Sequence, residues 1–190
     1  MIYAIVDGKK VVASPGARGV CNACEKPTFS KCGEVKTWHW AHESLCPFET
    51  EGETEWHLMM KRMFPADCVE IKCANHRADV IWKNCVYEFQ RVPLAPSKML
   101  EREEFWRSKG YGFMWVLYAL DCKENVVLKP YNHPTANSFR WKWPKRRLEN
   151  IKLPFVLDFG LQLLEVQKIH WNEKVGGWGH VRFIDEIFAL

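Results

Sequence analysis

Val69-Glu-Ile-Lys-Cys-Ala-Asn-His-Arg-Ala-Asp-Val-Ile-Trp-Lys-Asn-Cys-Val-Tyr-Glu-Phe-Gln90 is the stretch on which the fold turns. Val69 to Lys72 reads as a short strand, Ala78 to Trp82 as a second and Cys85 to Gln90 as a third. Each is rich in β-branched or aromatic residues, and Lys83-Asn84 turns the chain between the last two. A helix is expected in front. Thr50 is a candidate N-cap with Glu53 three residues on, Leu58, Met59 and Met63 continue the helix, and Pro65 ends it. Behind lies a second helix, from Ser97 to about Lys109, with Gly110 as its stop. Phe113 to Leu120 then reads as a buried strand, and Val126 to Leu128 as another short one.

This order of strands and helices predicts a mixed α/β core over residues 48–135. Residues 2–6 and 10–13 alternate around Asp7-Gly8, which predicts a tight hairpin at the head of a small module spanning 1–47. Residues 136–190 form a C-terminal extension. Within it, 155–171 reads equally as a helix or as two strands broken by Gly160. Gly176-Gly-Trp-Gly179 reads as a turn, and Val181 to Phe188 as a last strand or a short helix.

The chain has 190 residues, 47% of them hydrophobic, which suits a folded protein. No apolar run approaches the roughly 20 residues of a membrane helix. The opening Met1-Ile-Tyr-Ala-Ile-Val6 is too short for a signal segment, so a cytoplasmic location without membrane insertion is expected. Lys and Arg exceed Asp and Glu by 27 to 23. Residues 1–95 balance at 12 and 12, so the whole net charge of +4 falls in 96–190, with 15 and 11. Five of those bases sit in Phe139-Arg-Trp-Lys-Trp-Pro-Lys-Arg-Arg147. Arg140, Lys142, Lys145, Arg146 and Arg147 are the candidate nucleic-acid contacts, with Trp141 and Trp143 available to stack on bases or to pack inward.

Eight cysteines and seven histidines need an explanation. Cys68, Cys73, Cys85 and Cys122 sit in or beside apolar stretches and read as small hydrophobes. Cys21-Asn-Ala-Cys24 followed by His39-Trp-Ala-His42 has the spacing of a zinc site, with two thiolates on a knuckle and two imidazoles to complete a tetrahedron. Cys32 and Cys46 share this stretch, and either can replace a histidine. Four protein ligands would leave no open position, so the expected zinc is structural.

The second candidate centre is acidic. Asp79 and Glu88, on consecutive strands, can hold Mg²⁺ or Mn²⁺ through oxygen, and the Phe89 carbonyl can add a ligand. Such an ion activates water for phosphodiester hydrolysis. Gln90 shares the face of Glu88 and can orient that water. Glu53, His57 and Lys61, spaced by four, would form one polar row on the preceding helix. The plainer alternative is that Glu53 caps the helix while His57 and Lys61 face water.

Taken together, Cys21-x-x-Cys24, His39-Trp-Ala-His42, Glu53-Thr-Glu-Trp-His57-x-x-x-Lys61, Arg77-Ala-Asp79-Val and Glu88-Phe-Gln90 resemble the competence protein CoiA-like family, in register from about residue 10 to 130. That family is a zinc-finger-bearing branch of the PD-(D/E)XK nuclease superfamily. The resemblance implies a restriction-endonuclease-like mixed sheet flanked by helices, with Asp79 and Glu88 as metal carboxylates. It makes Glu53, or else Glu55, the helix carboxylate, and His57 with Lys61 the helical pair. Gln90 stands where many members of the wider superfamily carry lysine. The implied function is metal-dependent cleavage of DNA in processing or recombination. The alternatives are a catalytically silent DNA-binding or recombination-accessory module, and a zinc-stabilised protein-interaction factor of a mobile element.

Overall fold

The computed structural model describes the chain except for residues 49–52, 93, 121–125, 132, 142–147, 149–150, 153, 161, 172–174 and 189–190. The candidate contacts Lys142, Lys145, Arg146 and Arg147, and the candidate cap Thr50, therefore lie outside the described residues. The architecture is mixed α/β, in two compact units, Met1–Val86 and Tyr87–Leu190. Among the described residues no helix is long and apolar enough to cross a membrane.

The first unit opens with β1 (Tyr3–Val6), β2 (Lys9–Val12), β3 (Arg18–Val20), β4 (Pro27–Lys31) and β5 (His39–His42), an antiparallel sheet in the order β2-β1-β3-β4-β5. Asp7 and Gly8 both have positive φ, 50° and 74°, as a two-residue type I′ hairpin turn requires. Alternation gives the sheet an inner face. Ala4 and Trp40 lie on it, in a core with Ala13, Cys21, Ala23 and Cys46. The fully buried indole of Trp40 donates to the Val11 carbonyl at 3.0 Å, so the largest core side chain leaves its polar atom satisfied.

Helix α1 (Glu55–Arg62) starts later than the sequence suggested. Thr54 is its N-cap, in extended conformation, and its backbone N–H donates to His57 Nδ1 at 3.4 Å. Glu53 thus precedes the helix instead of standing in its first turn. The hairpin of β6 (Val69–Cys73) and β7 (His76–Trp82) follows, in register Val69↔Val80 and Ile71↔Ala78. β6 ends its sheet, and two side chains blunt that edge: Lys10 Nζ donates to the Val69 carbonyl, and Asn22 Nδ2 to the Glu70 carbonyl at 2.7 Å. After β7, Lys83 and Asn84 take φ of 46° and 61°, again the type I′ pattern.

β8 (Cys85–Gln90) leads into the second unit, followed by α2 (Pro96–Ser108), β9 (Gly112–Tyr118), β10 (Val126–Tyr131), β11 (His133–Trp141), β12 (Phe155–Asp158), β13 (Leu163–Trp171), β14 (Val175–Arg182) and α3 (Ile184–Phe188). Pro96 occupies the first turn of α2, where its missing N–H costs nothing, and Gly110 at φ 86° follows its end. Met99, Glu103 and Trp106 form the buried stripe of the helix. The strands run in the order β10-β11-β14-β13-β12-β9-β8, with β12 parallel to β9 and the pairs among β10 to β14 antiparallel. Trp115, Leu117 and Phe155 are buried within it, and Phe188 of α3 packs edge-on against Tyr87 and Phe89.

Of the two readings open for 155–171, the strands broken by Gly160 (φ 90°) hold. Gly176 to Gly179 is not a turn but part of β14, and the reason is close approach. A Cβ on Gly177 would lie 1.8 Å from the Lys168 carbonyl oxygen, and one on Gly179 2.3 Å from that of Glu165. Gly177→Ala is therefore expected to part β13 from β14 and cost about 2 kcal/mol or more, read as a lowered Tm. An unchanged Tm would show that the strands do not approach so closely.

Candidate metal centre and the buried charge cluster

The zinc-type centre is built on two adjoining loops of the first unit. Cys21 closes β3 into a knuckle: its N–H donates to the Lys26 carbonyl at 3.0 Å, and Glu25, at φ 61°, returns its N–H to the Cys21 carbonyl at 2.9 Å. The Ala23 N–H points at Cys21 Sγ, 3.3 Å away. From the other side, β5 brings His42 opposite Thr28, and the chain runs on to Cys46. Lys26 Nζ donates to the Leu45 carbonyl at 2.8 Å, tying the two loops together.

Cys21, Cys24, His42 and Cys46 place one ligand atom each within 4.8 Å of all the others. Zn–S bonds of about 2.3 Å and Zn–N bonds of about 2.0–2.1 Å put a tetrahedral sulfur–nitrogen edge near 3.6 Å and a sulfur–sulfur edge near 3.8 Å. The Cys24 Sγ to His42 Nε2 separation is 3.4 Å. The donor set fits zinc. Burial pushes the Cys21 thiol up, only partly offset by backbone hydrogen bonds from Cys24 and Ala23, so losing its proton calls for a cation there. Three thiolates and one imidazole fill a tetrahedron, which leaves no site for substrate or water.

His39 is not in this cluster; Cys46 takes its place. In a strand, residues three apart face opposite ways. His42 shares the inner face with Trp40, and His39 turns outward, its Nδ1 on the Thr37 carbonyl at 2.8 Å. Sequence spacing ignored that parity. The signal available was His42-x-x-x-Cys46, which leaves the strand before supplying its thiol.

The residues assigned to a catalytic ion are differently placed. Lys61 is buried, and its ammonium lies 2.8 Å from Asp79, 2.6 Å from Glu53 and 3.5 Å from Glu70. Arg77 approaches Glu53 at 4.0 Å, and the Met1 amine lies 3.0 Å from its other oxygen. Burial alone would raise the Glu53 carboxyl. Lys61, the Met1 amine and Arg77 outweigh it and hold the group well below the usual range. Burial would likewise lower Lys61, but Asp79, Glu53 and Glu70 bind its proton more firmly than usual. Among the described residues, Glu53, Glu70 and Asp79 thus gather with Lys61, Arg77 and the Met1 amine.

Glu70, fully buried, was not foreseen. Its φ of 54° is unusual for a non-glycine residue, a conformation that persists only where neighbours enforce it. Asn22 of the knuckle holds its carbonyl, while the Ile2 N–H at 3.2 Å and Lys61 hold its carboxylate. The alternation Val69-Glu70-Ile71 was the only sequence signal that it faces away from its apolar neighbours.

In the second unit both oxygens of buried Glu88 accept from Arg102 Nη2 at 2.9 Å. Phe89 is buried beside Phe188, and Gln90 turns its amide to the Val92 carbonyl. His57 bonds the Thr54 hydroxyl at 2.9 Å. Glu55, the other candidate helix carboxylate, is exposed and accepts from the Thr37 N–H at 3.2 Å. Arg140 is exposed on β11. Asp79 thus faces Lys61, which it shares with Glu53 and Glu70, and Glu88 faces Arg102.

No family model, curated protein or solved structure matches the chain.

Proposed function

We propose that the chain is a zinc-stapled nucleic-acid-binding module that does not hydrolyse its target, and serves as an accessory factor in DNA processing or recombination. One observation carries the non-hydrolytic half. Each carboxylate suited to a catalytic ion is held by a side-chain cation, Asp79 by Lys61 at 2.8 Å and Glu88 by Arg102 at 2.9 Å. A divalent ion entering beside Asp79 would have to displace the Lys61 ammonium from the carboxylates it already balances. The nucleic-acid half rests on charge. The positive excess lies wholly in the second half of the sequence, and five bases without an acid sit in residues 139–147.

The test is binding by the full chain to labelled DNA across a range of salt. Affinity is expected to fall linearly in log–log form and to drop when Lys145, Arg146 and Arg147 are replaced together by alanine. Asp79→Asn with Glu88→Gln is expected to leave affinity within about twofold, with or without Mg²⁺, since neither residue meets the phosphate. Affinity that needs Mg²⁺ and is lost in the double variant would restore the hydrolase. A protein that binds no nucleic acid would leave the zinc-stabilised protein-interaction factor.

A further inference from the structure

The parity that turns His39 away from zinc defines a second surface. Residues paired across β3, β4 and β5 share a face: Arg18 pairs with Phe29 and Phe29 with Ala41, while Lys31 pairs with His39. His42, Thr28 and Trp40 occupy the opposite, inner face. The outer face therefore carries Arg18, Phe29, Lys31 and His39 together with Val20 and Ala41. Arg18, Val20 and Lys31 are exposed, and Phe29, His39 and Ala41 half-buried. Phe29 lies in the middle strand, with Arg18 one strand away and Lys31 two residues along, at spacings of about 5 and 7 Å.

We propose that this outer face of β3–β5 is a platform for single-stranded nucleic acid, with Phe29 stacking a base and Arg18, Lys31 and His39 meeting phosphates. This rests on the nucleic-acid reading above and names a second place where it is carried out. An aromatic ring on an open sheet can take only an unpaired base, because bases within a duplex already stack on each other. The interactions now covering the ring and the cations are weak ones. Lys31 Nζ lies over Phe29 at 5.6 Å from its centroid, and Arg18 pairs with Glu43 at the surface. A solvated ion pair and a surface cation–π contact yield readily to a stacked base and a phosphate. The zinc cluster behind the face supplies the rigidity, since β5 runs directly into its last two ligands.

The experiment uses the full zinc-loaded chain and a fluorescein-labelled oligothymidine, with affinity read by anisotropy and zinc content and Tm measured for every variant. Phe29→Leu keeps the apolar bulk but not the stack, and is expected to weaken binding roughly 5- to 150-fold. Phe29→Trp keeps binding. Arg18→Ala with Lys31→Ala reduces the slope of log affinity against log salt by about 1.4, two phosphate contacts' worth. If Phe29→Leu fails to fold, that slope still decides. Wild-type affinity in Phe29→Leu or an unchanged slope in the double variant, alongside loss of binding in the Lys145, Arg146 and Arg147 variant, overturns the platform while the module stands. A wild-type chain that binds no oligonucleotide overturns both.

Discussion

Replacing Cys46 with serine is expected to lower zinc affinity more than about 100-fold, whereas His39→Ala keeps one zinc per chain. The lower bound comes from metal sites in which only an outer partner of a ligand is lost, which already costs about 10- to 100-fold; Cys46 is itself a ligand. The two variants separate the geometric assignment from the one that spacing alone gives, because each removes a residue that only one of them uses. The structural consequence is large. Cys21, Ala23 and Cys46 sit in one core with Ala4 and Trp40, and few large aliphatic side chains share it. Structural zinc in small modules contributes about 10–16 kcal/mol at neutral pH, so removing it with a chelator should melt the five-stranded sheet. Zinc analysis with far-UV circular dichroism checks both. Full zinc in Cys46→Ser with loss in His39→Ala would reverse the ligand assignment.

Lys61→Met is expected to destabilise the protein by about 3–5 kcal/mol in chemical denaturation. The substitution keeps the length of the side chain and deletes the charge that three carboxylates share, leaving Glu53, Glu70 and Asp79 with only Arg77 and the Met1 amine against them. Adding Asp79→Asn to it should recover part of the loss, because the vacancy then faces one negative charge fewer. The same cluster sets a pH dependence. Glu53 titrates below its unfolded value, so its contribution is complete above about pH 4.3 and is lost as pH falls from there through the lower folded value. The Lys61→Met protein should show a shallower acid limb than the parent. A loss under about 1 kcal/mol would mean that water, not Lys61, balances these carboxylates.

Local rules carried much of the fold. Asp7-Gly8 and Lys83-Asn84 marked their hairpins because type I′ turns need two left-handed residues, and Gly110 marked the end of α2, which starts at Pro96 after an Ala95 cap and not with Ser97 as the cap. What escaped depended on partners remote in sequence. Gly176 to Gly179 has the composition of a turn, yet glycine is there because the carbonyls of Lys168 and Glu165 come too close for a Cβ. The helix row of Glu53, His57 and Lys61 was expected on one face. Glu53 and Lys61 do meet, though Glu53 precedes the helix and His57 serves the cap. Spacing made Lys61 a candidate for a phosphate, but only the return of β6 and β7 could reveal that Glu70 and Asp79 take its charge first. At the zinc cluster the residue types were legible, and the choice of Cys46 over His39 was settled by which way a strand residue faces.

The central claim is binding without hydrolysis, and one measurement addresses it directly. The zinc-loaded chain is held at saturation on end-labelled single-stranded, double-stranded and branched DNA, with Mg²⁺ and Mn²⁺ supplied separately, and the strands are resolved on a denaturing gel. The account predicts bound DNA of unchanged length in every lane. Metal-dependent fragments that disappear in Asp79→Ala, with zinc content intact, would contradict it.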